Sequence, residues 1–192
     1  MRFQYCGLVD GAVFSSLTPF FKNNRNYRSL KIHGCDLGRD GLRSLANALA
    51  VFDSLKEFEL SQCGKEGDGS RCVLQALLAN HSALRKLCLR EIRFGTKECA
   101  ALTALLTKPE SELAVLAITD NVLDDELLTI LATGVLGNRT LRALDLGRNP
   151  SVAGKGWDAI FATLRSPACG LENLSLQESR IEGGPNFPWR TL

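Results

Sequence analysis

The segment Leu84-Arg85-Lys86-Leu87-Cys88-Leu89-Arg90-Glu91-Ile92-Arg93-Phe94 decides the fold, because its apolar spacing, L-x-x-L-x-L-x-x-(N/C)-x-L, returns along the whole chain. The same frame reads Tyr27, Leu30, Ile32, Cys35 and Leu37, then Leu55, Phe58, Leu60 and Cys63, then Leu113, Leu116, Ile118, Asn121 and Leu123. It closes with Leu141, Leu144, Leu146 and Asn149, and with Leu171, Leu174, Leu176, Ser179 and Ile181. The units start at positions 27, 55, 84, 113, 141 and 171, a nearly constant step. Moving the frame back by one such step from Leu30 lands on Met1 and sets Phe3, Cys6 and Leu8 against Ile32, Cys35 and Leu37, which adds a unit near position 1. A repeat of this length holds one short strand and one full helix.

On these residues the chain resembles the ribonuclease-inhibitor-type leucine-rich-repeat family over nearly its whole length. The resemblance implies an α/β horseshoe, a right-handed solenoid with a concave parallel sheet of seven short strands, one per unit, and convex helices. The repeat domain is expected over 1–182. The segment 183–192 reads as an irregular tail, since Gly183-Gly184-Pro185-Asn186-Phe187-Pro188-Trp189 cannot continue a regular helix. Related arrays act as inhibitors, as sensor regions of intracellular immune receptors or as scaffolds, so the resemblance also implies a protein partner.

Composition narrows the function. In 192 residues, 23 basic and 21 acidic side chains give a net charge of +2, without the basic excess that nucleic acid or anionic lipid demands. No apolar run approaches the roughly 18 residues that span a bilayer, and Met1-Arg2-Phe3-Gln4-Tyr5 begins no signal-peptide pattern, so the expectation is a soluble cytoplasmic protein. The seven cysteines are odd in number and follow the repeat. Cys6, Cys35 and Cys63 fill the slot that Asn121 and Asn149 take later, where a small polar side chain bonds the backbone as the chain leaves the strand. Equivalent slots lie about 5 Å apart, close enough to bring sulfurs together, but buried free thiols are the expectation.

Helices follow from three- and four-residue apolar steps. The first is expected from about Gly11 to Lys22 with Phe14, Leu17 and Phe21 inward, interrupted at Pro19. Later ones present Leu42, Leu45, Ala46 and Leu49 after an Asp40-Gly41 start, then Val73, Leu74, Leu77 and Leu78 after a glycine-rich entry at Gly64–Ser70. The next pair presents Ala101, Leu102, Leu105 and Leu106, stopped at Pro109, and Leu127, Leu128, Leu131 and Ala132, stopped near Gly134. Trp157, Ile160, Phe161 and Leu164 complete the series before Pro167. Neither end shows an obvious cap, which points to a piece of a longer array and to end-to-end contact through raw terminal units.

Residues between the inward leucines point into the hollow: Arg2 and Gln4, Ser29 with Lys31 and His33, Glu57 with Glu59 and Ser61, Lys86 with Cys88 and Arg90. Val115, Ala117 and Thr119 follow, then Ala143, Asp145 and Gly147, then Asn173, Ser175 and Gln177. From these, Lys31, His33, Glu57, Glu59, Lys86, Arg90, Thr119, Asp145 and Gln177 are the candidate partner-binding residues. A second column, Arg28, Lys56, Arg85 and Arg142, is broken by Ala114 and Glu172. It reads as a solvated rim whose stems cover apolar edges, or as a dock for an acidic partner.

No catalytic, cofactor or metal site is expected. Asn149-Pro150-Ser151-Val152-Ala153-Gly154-Lys155-Gly156 approaches a P-loop, but Asn149 stands where the first glycine belongs and Gly156 replaces the metal-binding hydroxyl. His33 and His81 fall in different parts of the repeat, and no C-x-x-C occurs, which argues against zinc. Ser61, His33 and Asp145 cannot form a triad, since Asp145 lies four strands, roughly 20 Å, from His33. Asn80, Asn138 and Asn173 open glycosylation acceptor patterns that carry little weight without a secretory signal. Ile92 occupies the turn slot with no hydrogen-bonding group, so its unit should leave a backbone group to water or turn differently. Two rivals to a binding module remain. One is a regulator like the Ran GTPase-activating proteins, which share this repeat type, with Arg90 or Arg148 as contact residues; the other is a structural spacer or oligomerisation segment.

Overall fold

The inward leucines of each unit begin a strand, and the residues after the turn slot wind into a helix that returns the chain to the next strand. A computed structural model describes residues 1–4, 11–63, 68–80, 83–92, 94–179 and 181. In chain order the elements are β1 (Arg2–Gln4), α1 (Gly11–Asn23), β2 (Ser29–His33), α2 (Gly38–Leu49), β3 (Glu57–Ser61), α3 (Asp68–Asn80), β4 (Lys86–Arg90), α4 (Thr96–Thr107), β5 (Val115–Thr119), α5 (Asp125–Gly137), β6 (Ala143–Asp145), α6 (Gly154–Leu164) and β7 (Asn173–Ser175). The seven strands form one sheet in sequence order, and every neighbouring pair is parallel. Each helix packs on the next, so the molecule is a strand layer backed by a helix layer.

Register converts the sequence frame into columns. Leu30, Phe58, Leu87, Leu116, Leu144 and Leu174 are successive partners, as are Phe3, Ile32, Leu60, Leu89 and Ile118. Leu30, Ile32, Leu60, Leu87, Leu116 and Ile118 have no exposed surface. A slip of one residue would turn a whole column to water, and burial of each such side chain contributes about 1.5–3 kcal/mol before the entropy of ordering is subtracted.

The turn slots are bridged between units. Asn121 Oδ1 accepts the Ile92 N–H at 2.7 Å, while its Nδ2 donates to Leu89 and Thr119 carbonyls, both at 3.0 Å. Asn149 repeats the pattern, accepting from Leu123 N–H at 3.4 Å and donating to Ile118 and Leu146 carbonyls at 2.8 and 2.9 Å. This corrects the expectation for Ile92, which is buried in register with its N–H satisfied, because the slot residue serves the preceding turn as well as its own. Thiols fill the earlier slots: Cys63 Sγ donates to the Ser61 carbonyl at 3.0 Å and Cys35 Sγ to the His33 carbonyl at 3.4 Å. Burial, offset in part by the Cys35 backbone N–H, pushes the Cys63 thiol up to about 11. Among the described residues Cys35, Cys63, Cys72, Cys88, Cys99 and Cys169 form no disulfide; Cys6 lies outside the described residues.

Three helix expectations change. α1 runs through Pro19 to Asn23, with the hydroxyls of Ser16 and Thr18 bonding the carbonyls of Ala12 and Phe14. α2 starts at Gly38, which puts Asp40 inside its first turn. α5 passes Gly134 and ends at Gly137. Gly134 is a packing residue, not a stop: a methyl there would stand 3.0 Å from Thr103 Cα and 3.1 Å from Leu106 Cδ1 on α4. The stop is Asn138, whose Nδ2 donates to the Leu106 carbonyl at 2.7 Å while Oδ1 accepts from Leu141 N–H at 2.6 Å. The expected tail at 183–192, His81 and the glycines at 64 and 67 lie outside the described residues.

Candidate functional site

The outward strand positions meet across the sheet because register aligns them. Lys31 and Glu59 are direct partners on β2 and β3, and their charged ends pair at 3.1 Å. Arg90, Thr119, Asp145 and Gln177 gather around a recess of about 200 Å³, together with Asp120, Gly147 and Arg148. Glu57 and Lys86 line a second, wider recess of about 700 Å³ at the opposite strand ends, with Arg28, Lys56 and Arg85. His33 lines neither. Cys88, between these groups, is half-buried, and burial raises its thiol against the opposing pull of Lys86. Two expected hollow-facing residues are not open: Ser61 and Gly147 are buried. Ser61 stands in register between His33 and Arg90, whose larger side chains flank it, and its hydroxyl has no partner among the described residues.

Two residues of the first recess, Asp120 and Arg148, belong to a column that the apolar frame does not mark. Gly34, Gln62, Glu91, Asp120, Arg148 and Glu178 all have positive φ, between 50° and 63°. They occupy one position in successive units, immediately before the turn slot. In this left-handed conformation the N–H groups of Gln62, Glu91, Asp120 and Arg148 still bond the next unit, reaching Arg90, Thr119, Gly147 and Gln177 carbonyls at 2.8–3.3 Å. Only Gly34 carries the residue type that such a conformation favours, which is why the column is silent in the sequence; the repeat spacing was its one signal.

The side chains of that column form a charged ladder. Gln62 Nε2 donates to Glu91 Oε1 at 2.6 Å, Arg90 Nε lies 2.8 Å from Asp120 Oδ2, and Arg148 spans Asp120 at 3.5 Å and Glu178 at 2.9 Å. The Arg90 N–H points off the line to Asp120, so that short contact is an ion pair without a good hydrogen bond. Glu178, by its hydrogen bond and charge, and then Asp120 raise Arg148 further above its ordinary range. Both arginines are thus tied to one carboxylate, and neither is held out as a free cation. Asp145 Oδ1 accepts from Gly147 N–H at 3.0 Å, and a side chain at Gly147 would meet the Gln177 carbonyl.

The other chemical candidates are resolved by geometry. At the near-P-loop, Asp125 Oδ1 of α5 takes the N–H groups of Ala153 and Gly156 at 2.7 and 3.0 Å, filling the start of α6 where a phosphate would sit. Asn149 is buried in its turn. Asn138 is also buried with its amide bonded on both sides, which removes it as a glycosylation acceptor. Among the described residues no group of His, Cys, Asp and Glu is arranged to hold a metal ion, and no helix is long and apolar enough to cross a membrane.

A parallel sheet built in sequence order from evenly repeating helix-backed units, with asparagine or cysteine at most of the turns, defines a leucine-rich-repeat solenoid. The repeats resemble those of the ribonuclease-inhibitor type. Comparison with known proteins agrees. The chain is 29% identical over 178 residues to mouse NACHT, LRR and PYD domains-containing protein 14, covering 78% of this chain and 18% of that protein. It is 27% identical over 180 residues to mouse ribonuclease inhibitor, covering 79% of this chain and 39% of the inhibitor. Pig ribonuclease inhibitor is 24% identical over 201 residues, which covers 90% of this chain and 44% of the inhibitor. The chain therefore spans less than half the length of these relatives. No family model matches it.

Proposed function

We propose that the chain is a protein-interaction module that holds a protein partner across its open strand face, as the recognition part of a sensor or regulator. The observation that carries this reading is the strip of unlike side chains fixed by register on one continuous sheet, from the Lys31–Glu59 pair to the Arg90–Asp120–Arg148 cluster. Charges already paired and held cost little further ordering when a complementary surface arrives, so such a strip selects by pattern. Two of the similar proteins are named for inhibiting a ribonuclease, itself a protein. The free thiols suit a cytoplasmic setting.

Replacing Lys31, Glu59 and Arg90 together with alanine tests the reading. A partner co-purifying with the unaltered chain should be lost from the triple variant and kept by a variant changed at exposed helix residues Leu136 and Asp158. Equal retention by both variants would remove the strand face from the account. A chain that self-associates through its ends and binds nothing on the sheet would favour a structural spacer.

A further inference from the structure

The wide recess at the strand starts has a chemistry of its own. Four cations, Arg28, Lys56, Arg85 and Lys86, face two carboxylates there. One carboxylate, Glu112, lies 3.2 Å from Arg85 Nε and 4.0 Å from Lys56 Nζ, so a single acid serves both. The other, Glu57, is the direct strand partner of Lys86 and yet makes no ion pair with it. Arg28 and Lys86 have no ion pair among the described residues.

Arg142, which continues the column in sequence, is held differently. Its guanidinium donates to the carbonyls of Arg139, Leu141 and Gly170 and pairs with Glu172 at 3.4 Å. Within this column, among the described residues, the uncommitted positive charge therefore sits in the units of β2, β3 and β4. Beside it, Ala114 and Val115 form a small apolar shelf at the start of β5.

The geometry points to this recess as the dock for an acidic, extended segment of a protein partner carrying one apolar residue. Four strands at about 4.8 Å spacing make a path of roughly 14 Å, which matches about four residues of extended chain at about 3.3 Å each. Carboxylates of the segment meet Arg28, Arg85 and Lys86 in turn, and its apolar side chain covers Ala114 and Val115. The inference rests on the reading of the chain as a protein-binding module, and it adds the chemistry of the partner at one edge.

The test is fluorescence anisotropy with a labelled peptide, rich in Glu and Asp around a central Leu, titrated with the full chain. A neutral Ser/Gly peptide with the same Leu and a duplex DNA probe run in parallel. The acidic peptide should bind, weaken as salt is raised, and weaken about tenfold or more in the Arg28→Glu, Arg85→Glu double variant, with unchanged circular dichroism. The Lys31, Glu59 and Arg90 triple variant should bind it as the unaltered chain does; that result separates the edge from the sheet centre, so one can fail without the other. Absent binding, binding indifferent to the two reversals, or tighter binding of the DNA lost on the same reversals would each overturn the proposal.

Discussion

The side-chain oxygen of Asn121 receives the backbone N–H of Ile92 at 2.7 Å, across the boundary between two repeats. One amide thereby closes a turn in the unit before its own, and its two remaining bonds tie the carbonyls of Leu89 and Thr119. Cohesion between units depends on such groups as well as on apolar stacking.

Asn121→Ala should therefore cost about 2–4 kcal/mol, since it leaves a buried donor and a buried acceptor unpaired. Asn80→Ala, which loses one exposed bond to the Ala76 carbonyl, should change stability by about 0.5 kcal/mol or less. Urea unfolding of the two variants compares them. Equal effects would mean that the asparagine ladder carries no inter-repeat stability.

Helix-to-helix spacing gives a second expectation. Gly134→Val places branched carbons against Thr103 Cα and Leu106 and should lower stability by about 1–3 kcal/mol. Gly154→Ala puts a methyl where nothing lies within 4 Å, and should be neutral or stabilising by up to about 1 kcal/mol. Thermal unfolding by circular dichroism reads both; a tolerated valine would show that α4 and α5 are not closely apposed.

Alkaline pH is a third. Burial holds Cys63 up to about 11, and burial followed by the charges of Glu98 and Asp124 holds Cys99 up to about 12, against 9.0 when unburied. The folded chain keeps these protons longer than the unfolded one, so their stabilisation is complete below pH 9 and is lost as pH rises through 11 to 12. The loss is on the order of a few kcal/mol across that window. Denaturation midpoints measured from pH 7 upward should fall less steeply in Cys99→Ala than in the unaltered chain. Parallel curves would contradict the buried-thiol account.

The apolar columns were readable because strand pairing imposes a fixed period, and the strand assigned to Phe3 by shifting the frame one repeat back from Ile32 does pair with it. Asn121 and Asn149 were readable as turn residues, but not the direction of their service, since a spacing does not say which neighbouring unit a side chain reaches. Gly134 read as a stop because a glycine in a helical pattern signals either an end or a close approach, and only the position of α4 separates the two. Asn138 matched a modification pattern while serving as a buried brace. Of the charged ladder of Glu91, Asp120, Arg148 and Glu178 only Arg148 stood out, as a contact candidate and not as part of a column; Glu91, Asp120 and Glu178 left no mark, because the backbone there takes a glycine-like conformation without glycine. Lys31, Glu59, Arg90 and Asp145 emerged on the open face as alternation requires, whereas the burial of Ser61 depended on the size of its neighbours.

Site-specific photo-crosslinking tests the central claim most directly. A benzoylphenylalanine placed at Cys88, in the middle of the strand face, should give a covalent adduct with a protein partner, and the same group at the exposed helix residue Leu136 should not. Adducts from Leu136 alone, or from neither position while the partner still co-purifies, would contradict recognition through the sheet.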